Sequence, residues 1–191
     1  PGAAKRRGHR PSARDTLDGM SSAARTALAV PLPPGYALVE APHPASLDDA
    51  DAWAYHAVAD IGRELELEVH GYDDLALRPR DVLSGMDHQE YAAKRRVVVV
   101  RSAAASALIA DGVPPAVPDV VAYLFVLRPT TSNEHLSEAF VAVRPAERGR
   151  GIGTALLALA ERLGADAGRT VLLSNTSHGE EPPPGPGALA A

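Results

Sequence analysis

One stretch of the sequence restricts the fold more than any other. It consists of an apolar segment at residues 141–143, a turn with glycines at alternate positions, Gly149, Gly151 and Gly153, and an apolar pattern that continues to Leu163. The β-branched residues before the turn predict a strand, and the helical spacing of apolar residues after it predicts a helix. A strand and a helix joined by such a turn are typical of an α/β architecture.

The turn itself predicts an anion-binding site. A phosphate can approach glycines closely because they lack a Cβ, and the unpaired amides of the first helical turn point at it with the positive end of the helix dipole. Arg148 and Arg150 add full charges, which suits a pyrophosphate. The alternative is a glycine-rich turn needed only for tight packing, with both arginines on the solvated surface. From the residues alone the two interpretations are equal.

Residues 141–157 closely resemble the central motif of the GNAT superfamily of acetyl-CoA-dependent N-acetyltransferases. That motif is Arg or Gln, two residues, Gly, one residue, and then Gly or Ala, and Arg148, Gly151 and Gly153 occupy it. The preceding strand ends in Val-x-Val-x-Pro, as in many members. The resemblance covers residues 36–175 and implies a GNAT (acyl-CoA N-acyltransferase) fold, a mixed and mostly antiparallel sheet flanked by helices.

The resemblance also implies a cofactor and a reaction. Acetyl-CoA would be the co-substrate, with β-strand backbone groups holding the pantetheine arm and the turn amides holding the pyrophosphate. The implied cofactor-binding residues are Val141, Val143, Arg148, Gly149, Arg150, Gly151, Gly153 and Thr154. The implied reaction is transfer of an acetyl group to an amine acceptor, with a small molecule as the leading candidate. A catalytically silent CoA-binding regulatory module is the alternative.

Two other phosphate-binding motifs fit less well. A dinucleotide-binding G-x-G-x-x-G turn does not match, because Thr154 occupies the position of the last glycine. About twenty residues further on, Ser174 stands where an acidic ribose partner is expected. No Gly-Lys-Ser/Thr sequence completes a P-loop, so nucleotide hydrolysis is disfavoured.

Acetyl transfer to an amine needs a proton acceptor, and Glu138 on the motif strand is the candidate catalytic residue, acting through a water. It lies an odd number of residues from Val143, so the two side chains point to opposite faces, and a solvated or ion-paired carboxylate is the favoured alternative. Glu134 and His135, just before the strand, are interpreted as turn residues. No His or carboxylate cluster has metal-ligand spacing, so no metal is predicted.

Periodicity along the rest of the chain predicts a mixed order of strands and helices. The predicted elements are a strand at 36–40, a long amphipathic helix with apolar positions at Ala50, Trp53, Ala57, Ile61 and Leu65, a weaker helix at 81–95, strands at 97–100, 120–127 and 136–143, a helix at 151–163 and a strand at 170–173. The basic run at residues 94–96 is interpreted as the solvated end of the weaker helix. The stretch between the second and third strands is predicted to be a loop.

The domain organisation predicted for the 191 residues is a single main domain with tails. Residues 1–30 are expected to be a disordered or non-native tail, with those before Met20 outside the native reading frame. Residues 31–177 form the GNAT-like domain, and residues 178–191 a Pro/Gly-rich tail or linker. Family members continue with a helix and further strands, so the domain is expected to be incomplete at its C-terminal end, as in the N-terminal half of a tandem member.

Composition excludes several partners. The formal net charge of −5 disfavours a general nucleic-acid binder. No apolar run reaches the roughly 18 to 20 residues that span a bilayer, which disfavours a membrane protein. The absence of cysteine fits a reducing compartment, so a cytoplasmic location is expected. The oligomeric state has no sequence correlate here.

Overall fold

The computed structural model describes residues 30–176. The predictions for the two tails and for the residues before Met20 therefore concern residues outside the described range, apart from Val30. The elements in chain order are β1 (Tyr36–Glu40), a 3₁₀ turn (Ala50–Ala52), α1 (Trp53–His70), α2 (Pro79–Ser84), β2 (Ala92–Arg101), α3 (Ser102–Asp111), a 3₁₀ turn (Val117–Asp119), β3 (Val120–Pro129), β4 (Leu136–Val143), a 3₁₀ turn (Pro145–Glu147), α4 (Ile152–Asp166) and β5 (Val171–Leu173).

The five strands form one sheet in the order β1-β2-β3-β4-β5. The first three pairings are antiparallel and β4 pairs with β5 in parallel, with α4 as the crossover between them. The predicted fold class, a mixed and mostly antiparallel sheet flanked by helices, is confirmed.

Helices cover both faces of the sheet and create two apolar cores. The α1 core holds α1 side chains such as Tyr55 and Ile61 against one face, together with Val98 and Val100 of β2. The α4 core holds α4 side chains such as Leu156 against the other face, together with Val97 and Val99. Successive side chains of a strand point to opposite faces, so an unbroken valine run fills both cores.

The weaker helix predicted at residues 81–95 is wrong beyond its first turn. The helix ends at Ser84, and the basic run belongs to strand β2. Arg95 forms a bidentate ion pair with Glu40 of β1 at 2.7 and 2.8 Å, and the guanidinium of Arg96 stacks over the ring of Phe125 of β3 at 4.9 Å. These cross-strand partners are distant in the sequence, so helical spacing alone misassigned the run.

Helix α3 was not predicted, because its residues were interpreted as part of a loop. Its sequence is rich in alanine, the residue with the highest helix propensity, and it ends at Gly112 in the left-handed conformation typical of a helix C-terminus. Ala105 and Leu108 pack into the α1 core.

Within residues 30–176, no helix combines the length and apolarity that crossing a bilayer requires.

Candidate cofactor-binding cleft

A fork in the sheet opens a cleft beside β4. β4 and β5 pair only through residues 136–138 and 171–173, whereas β4 continues to Val143. Phe140 of β4 and Asn175 beyond β5 both line a cleft of about 890 Å³ that lies past the last paired residues. One edge of β4 is therefore released from the sheet beside an open space.

The backbone of β4 presents polar groups along this released edge. The amide of Arg144 donates to the carbonyl of Val121 at 2.9 Å, continuing the antiparallel ladder between β4 and β3. Hydrogen-bonded and non-hydrogen-bonded positions alternate in such a ladder. The N–H and C=O groups of Val141 and Val143 therefore point away from β3, towards the side on which the fork opens, and both residues line the cleft.

The glycine turn closes one end of the cleft with helix amides. Gly149 and Gly151 have φ values of +74° and +84°, a left-handed conformation that L side chains rarely adopt. Gly151 is the N-cap of α4 and has no side chain to cap the helix, whose intrahelical bonding begins with the Ala155 amide donating to the Gly151 carbonyl at 3.0 Å. The amides of residues 152–154 are thus left for an anion at the positive end of the helix dipole.

Neither the backbone conformation nor the internal packing requires a glycine at position 153, the third glycine of the turn. Gly153 lies in the first turn of α4 and lines the cleft. A Cβ placed on it would approach Val143 Cγ2 at 3.7 Å, an ordinary van der Waals contact. The fold therefore tolerates a side chain here, and what glycine provides is room in the cleft next to the helix amides.

Arg148 bridges the turn to helix α1. Its guanidinium donates to both carboxylate oxygens of Glu68 at 2.8 and 2.6 Å, and its Nε donates to the carbonyl of Val143 at 3.3 Å. Both side chains of the ion pair are more than 40% exposed, at 46% and 41%. A phosphate that engages Arg148 must therefore compete with a carboxylate in a solvated setting.

Glu147, immediately before the turn, is a buried anchor that the sequence did not predict. It is 5% exposed and accepts hydrogen bonds from the Tyr36 hydroxyl at 2.6 Å and from Arg101 at 2.5 Å. The Tyr36 hydrogen bond, helped by Arg101, lowers the pKa of Glu147 below its ordinary value of 4.5. Glu147 thereby holds the turn against β1 and the end of β2 as a carboxylate.

Arg150 and Arg144 face away from an anion bound at the turn. Arg150 donates to the Tyr36 hydroxyl at 3.1 Å and is absent from the lining of the cleft. Arg144 is buried, and its guanidinium donates to the carbonyl of Val120 at 2.8 Å and pairs with Asp60 of α1 at 2.9 Å and with Glu64 of α1. Arg144 therefore attaches α1 to the sheet.

The predicted cofactor-binding residues lie close together in the structure. Those that line the cleft are Val141, Val143, Arg148, Gly149, Gly151, Gly153 and Thr154. Arg150 does not line the cleft, and its guanidinium donates to the Tyr36 hydroxyl. No group of three or more histidine or acidic side chains within residues 30–176 is arranged to hold a metal ion.

The predicted catalytic residue, Glu138, lies beside the cleft. It is half-buried at the end of the β4–β5 pairing, between Leu127 and Leu173, and it shares a sheet face with Phe140. It is not among the lining residues. Glu134 and His135 are exposed in the preceding turn, where the carbonyl of His135 accepts the amide of Thr170 at 3.0 Å.

Sequence reasoning missed the part of the cleft wall that α1 and β3 supply. That wall comes from the end of α1 and from β3: Leu65, Glu66, Val69, His70 and Tyr123. Burial raises the pKa of the Tyr123 hydroxyl, an effect that the nearby Arg96 partly offsets. Glu66 and His70 are four residues apart, a spacing that places them on one helix face, but nothing local in the sequence brings that face to the cleft.

A comparison with protein families matches the part of the chain that runs from β2 past β5. Residues 89–179 match the model of the acetyltransferase (GNAT) family. No curated protein matches the sequence.

Solved structures of similar shape include yncA of Salmonella typhimurium, determined with its cofactor acetyl-CoA, at 16% identity over 73% of this chain and 69% of that chain, with a TM-score of 0.49. They also include a GCN5-related N-acetyltransferase from Kribbella flavida, at 24% identity over 68% and 67% of the two chains, with a TM-score of 0.42. The GNAT domain of S. lividans PAT is 16% identical over 72% and 69% of the two chains, with a TM-score of 0.44. Such low identities carry no information on the acceptor.

Proposed function

This chain belongs to the acetyltransferase (GNAT) family through residues 89–179, and on that premise we propose that it transfers an acetyl group from acetyl-CoA to an amine acceptor. In the reaction, the amine nitrogen forms a bond to the thioester carbonyl carbon and the carbon–sulfur bond breaks. The products are an amide and CoA, and one proton is released overall from a protonated amine.

The observation that carries this proposal is the fork in the sheet next to an uncapped helix N-terminus. The amides of residues 152–154 suit a pyrophosphate, and Gly153 leaves room beside them. From there the released edge of β4 leads past Val143 and Val141 towards the last paired residues. A pantetheine arm, which carries amides of its own, can bond to that edge as an added strand would.

The remaining predicted residues have supporting roles in this scheme. Arg148 exchanges Glu68 for a phosphate of the cofactor, which the exposed position of the ion pair permits. Arg150 contributes charge near the turn without direct contact. Glu138 lies beside the cleft, so it can take part in proton transfer only through a water.

Calorimetric titration tests the donor half of the proposal. We expect acetyl-CoA and CoA to bind with dissociation constants of about 1 µM to 1 mM, the range usual for enzyme substrates. Gly151→Val should abolish binding, because valine is strained at a φ of +84° and would displace the helix amides. Circular dichroism of the variant separates this effect from unfolding. A wild-type chain that gives no heat with either ligand would contradict the proposal.

Release of free thiol in the presence of amines tests the second half. An acetyltransferase releases CoA in proportion to the amide formed, which mass spectrometry of the product confirms. Binding of acetyl-CoA without thiol release for any primary amine would instead support a CoA-binding module that lacks catalysis.

A further inference from the structure

The cleft contains a carboxylate–imidazole pair that the donor site does not use. Glu66 and His70 lie on consecutive turns of α1, and both line the cleft. The distance from His70 Nε2 to Glu66 Oε2 is 3.5 Å. Glu66 Oε2 is buried without a hydrogen-bond donor, although its side chain is 29% exposed. A slight rotation of the imidazole would let Nε2–H donate to this oxygen and leave Nδ1 as a proton acceptor.

The other titratable groups that line the cleft are unsuited to accept a proton. Glu147 already accepts two hydrogen bonds and keeps a lowered pKa. Tyr123 has a raised pKa, so it stays protonated. Arg148 is a permanent cation paired with Glu68. Besides the Glu66 carboxylate, the imidazole of His70 is therefore the lining group that offers a nitrogen as proton acceptor, and Glu66 lies beside it.

The surfaces next to the pair are apolar. Leu65 and Val69 of α1 lie on the same wall, and Phe140 of β4 is 36% exposed in the cleft and stands 6.0 Å from the ring of Phe125. The one full positive charge among the lining residues, Arg148, is already paired with Glu68 at 2.6 Å. This wall suits a molecule with a cationic amine and an apolar body, whereas an acceptor carboxylate would meet Glu66 without a cation to balance it.

We propose that His70 is the catalytic base of this protein, that Glu66 is its positioning residue, and that the acceptor is a primary amine with an apolar or aromatic body and no carboxylate. The inference rests on the proposed acetyl transfer. His70 Nδ1 takes one proton from the ammonium, and the neutral amine attacks the thioester carbonyl. The tetrahedral adduct then loses the thiolate, which takes the second nitrogen proton to give CoA, and His70 returns its proton to solvent.

The substrate half of the proposal is tested with a matched pair of acceptors. Phenethylamine and L-phenylalanine share the same body and amine, and only the second carries a carboxylate. With acetyl-CoA, kcat/KM for phenethylamine should exceed that for L-phenylalanine by at least about tenfold. Equal values, or a preference for L-phenylalanine, would overturn the assignment of the acceptor class.

The catalytic half is tested with His70→Asn and Glu66→Gln in the phenethylamine assay. His70→Asn should lower kcat by about 10²- to 10⁴-fold, the usual contribution of a general base, with little change in KM. Glu66→Gln should lower kcat less, because the imidazole remains but loses the carboxylate that orients it. Glu66→Asp should restore part of the activity. Tyr72, Tyr123, Glu147 and Arg148 also face this region, and they are unchanged in these variants.

The structure offers a matched control and a competing base. His88 and Glu90 are also 3.5 Å apart but lie in an exposed loop outside the cleft, so His88→Asn should leave kcat unchanged. Unaltered kcat in folded His70→Asn, or a large loss confined to Glu138→Gln, would overturn the inference while acetyl transfer itself stands. Acetyl-CoA binding without transfer to any amine would contradict both the inference and the proposed activity.

Discussion

The three glycines of the turn are equivalent in the sequence but not in the structure. Gly149 and Gly151 adopt positive φ values, so the backbone itself requires glycine there. Gly153 is helical and its neighbours would accept a Cβ. Glycine within a helix costs about 1 kcal/mol of stability relative to alanine. Space for a ligand therefore explains a glycine at position 153 better than the stability of the fold does.

Gly153→Ala should therefore separate stability from binding. We expect the free energy of unfolding in urea to rise by up to about 1 kcal/mol, because alanine is the better helix former. We expect the affinity for acetyl-CoA in calorimetry to fall by about tenfold, or about 1.4 kcal/mol, because the methyl group occupies the space beside the helix amides.

Gly62→Ala is the matched control for this prediction. Gly62 lies inside α1, and a Cβ there meets nothing within 4 Å. This variant should show the same gain in stability with unchanged acetyl-CoA affinity. Unaltered binding in Gly153→Ala would show that the space beside the amides is not used.

Helix α1 and the glycine turn are connected by two arginines. Arg144 is buried and holds the middle of α1 through Asp60 and Glu64, whereas Arg148 is exposed and holds its last turns through Glu68. The helix that supplies one wall of the cleft is thus fastened to the strand and turn that supply the other. The first attachment is buried, and the second is exposed to solvent on both side chains.

Glu68→Gln should strengthen acetyl-CoA binding. The substitution removes the carboxylate that competes with the pyrophosphate for Arg148. An exposed ion pair of this kind is worth about 0.2 to 1 kcal/mol, which corresponds to a gain in affinity of about 1.4-fold to fivefold. Calorimetry at low and high ionic strength measures the gain, which should shrink as salt screens the pair.

Asp73→Asn controls for the general loss of a negative charge. Asp73 is also partly exposed and lies 3.9 Å from Arg63, outside the cleft. It should leave the affinity unchanged. Weaker binding in Glu68→Gln would show that the ion pair supports the site instead of competing for it.

Glu147 links distant parts of the fold. It receives hydrogen bonds from Tyr36 of β1 and Arg101 at the end of β2, and its own backbone begins the glycine turn. The sequence separations are 111 and 46 residues, so this contact exists only once the sheet has formed. Because the folded state lowers its pKa, Glu147 makes stability depend on pH.

The direction of that dependence follows from the lowered pKa. Glu147 contributes stability in full above its ordinary value of 4.5, and the contribution is lost as the pH falls from there through the lower pKa of the folded state. Glu147→Gln should lower the free energy of unfolding at pH 7 by about 1.5 to 3 kcal/mol, the value of a hydrogen bond to a charged group. Urea titrations at pH 7 and pH 3.5 should show a smaller difference between wild type and variant at the acidic pH. A constant difference would contradict the assignment.

Elements that depend on residues close together in the sequence were predicted best, and those that depend on distant partners were predicted worst. Strand β4 was predicted with its observed bounds and α4 nearly so, because apolar periodicity and the glycines around Gly151 are local properties. Residues 94–96 were assigned to a helix because their partners, Glu40 and Phe125, come from other strands. Helix α3 was missed although its alanine run and terminal glycine are local, so here the available pattern was overlooked.

The order of residues along the chain was enough to predict the α/β class, the glycine turn before α4 and the family resemblance, because each depends on spacing within about twenty residues. The part of the cleft formed by α1 and β3 depended on folding. His70 and Glu68 reach the turn only because ion pairs across 80 residues of sequence hold α1 against β4. The turn that most restricted the fold thus takes its conformation from local glycines, whereas the helix that lies beside it is brought there by long-range packing.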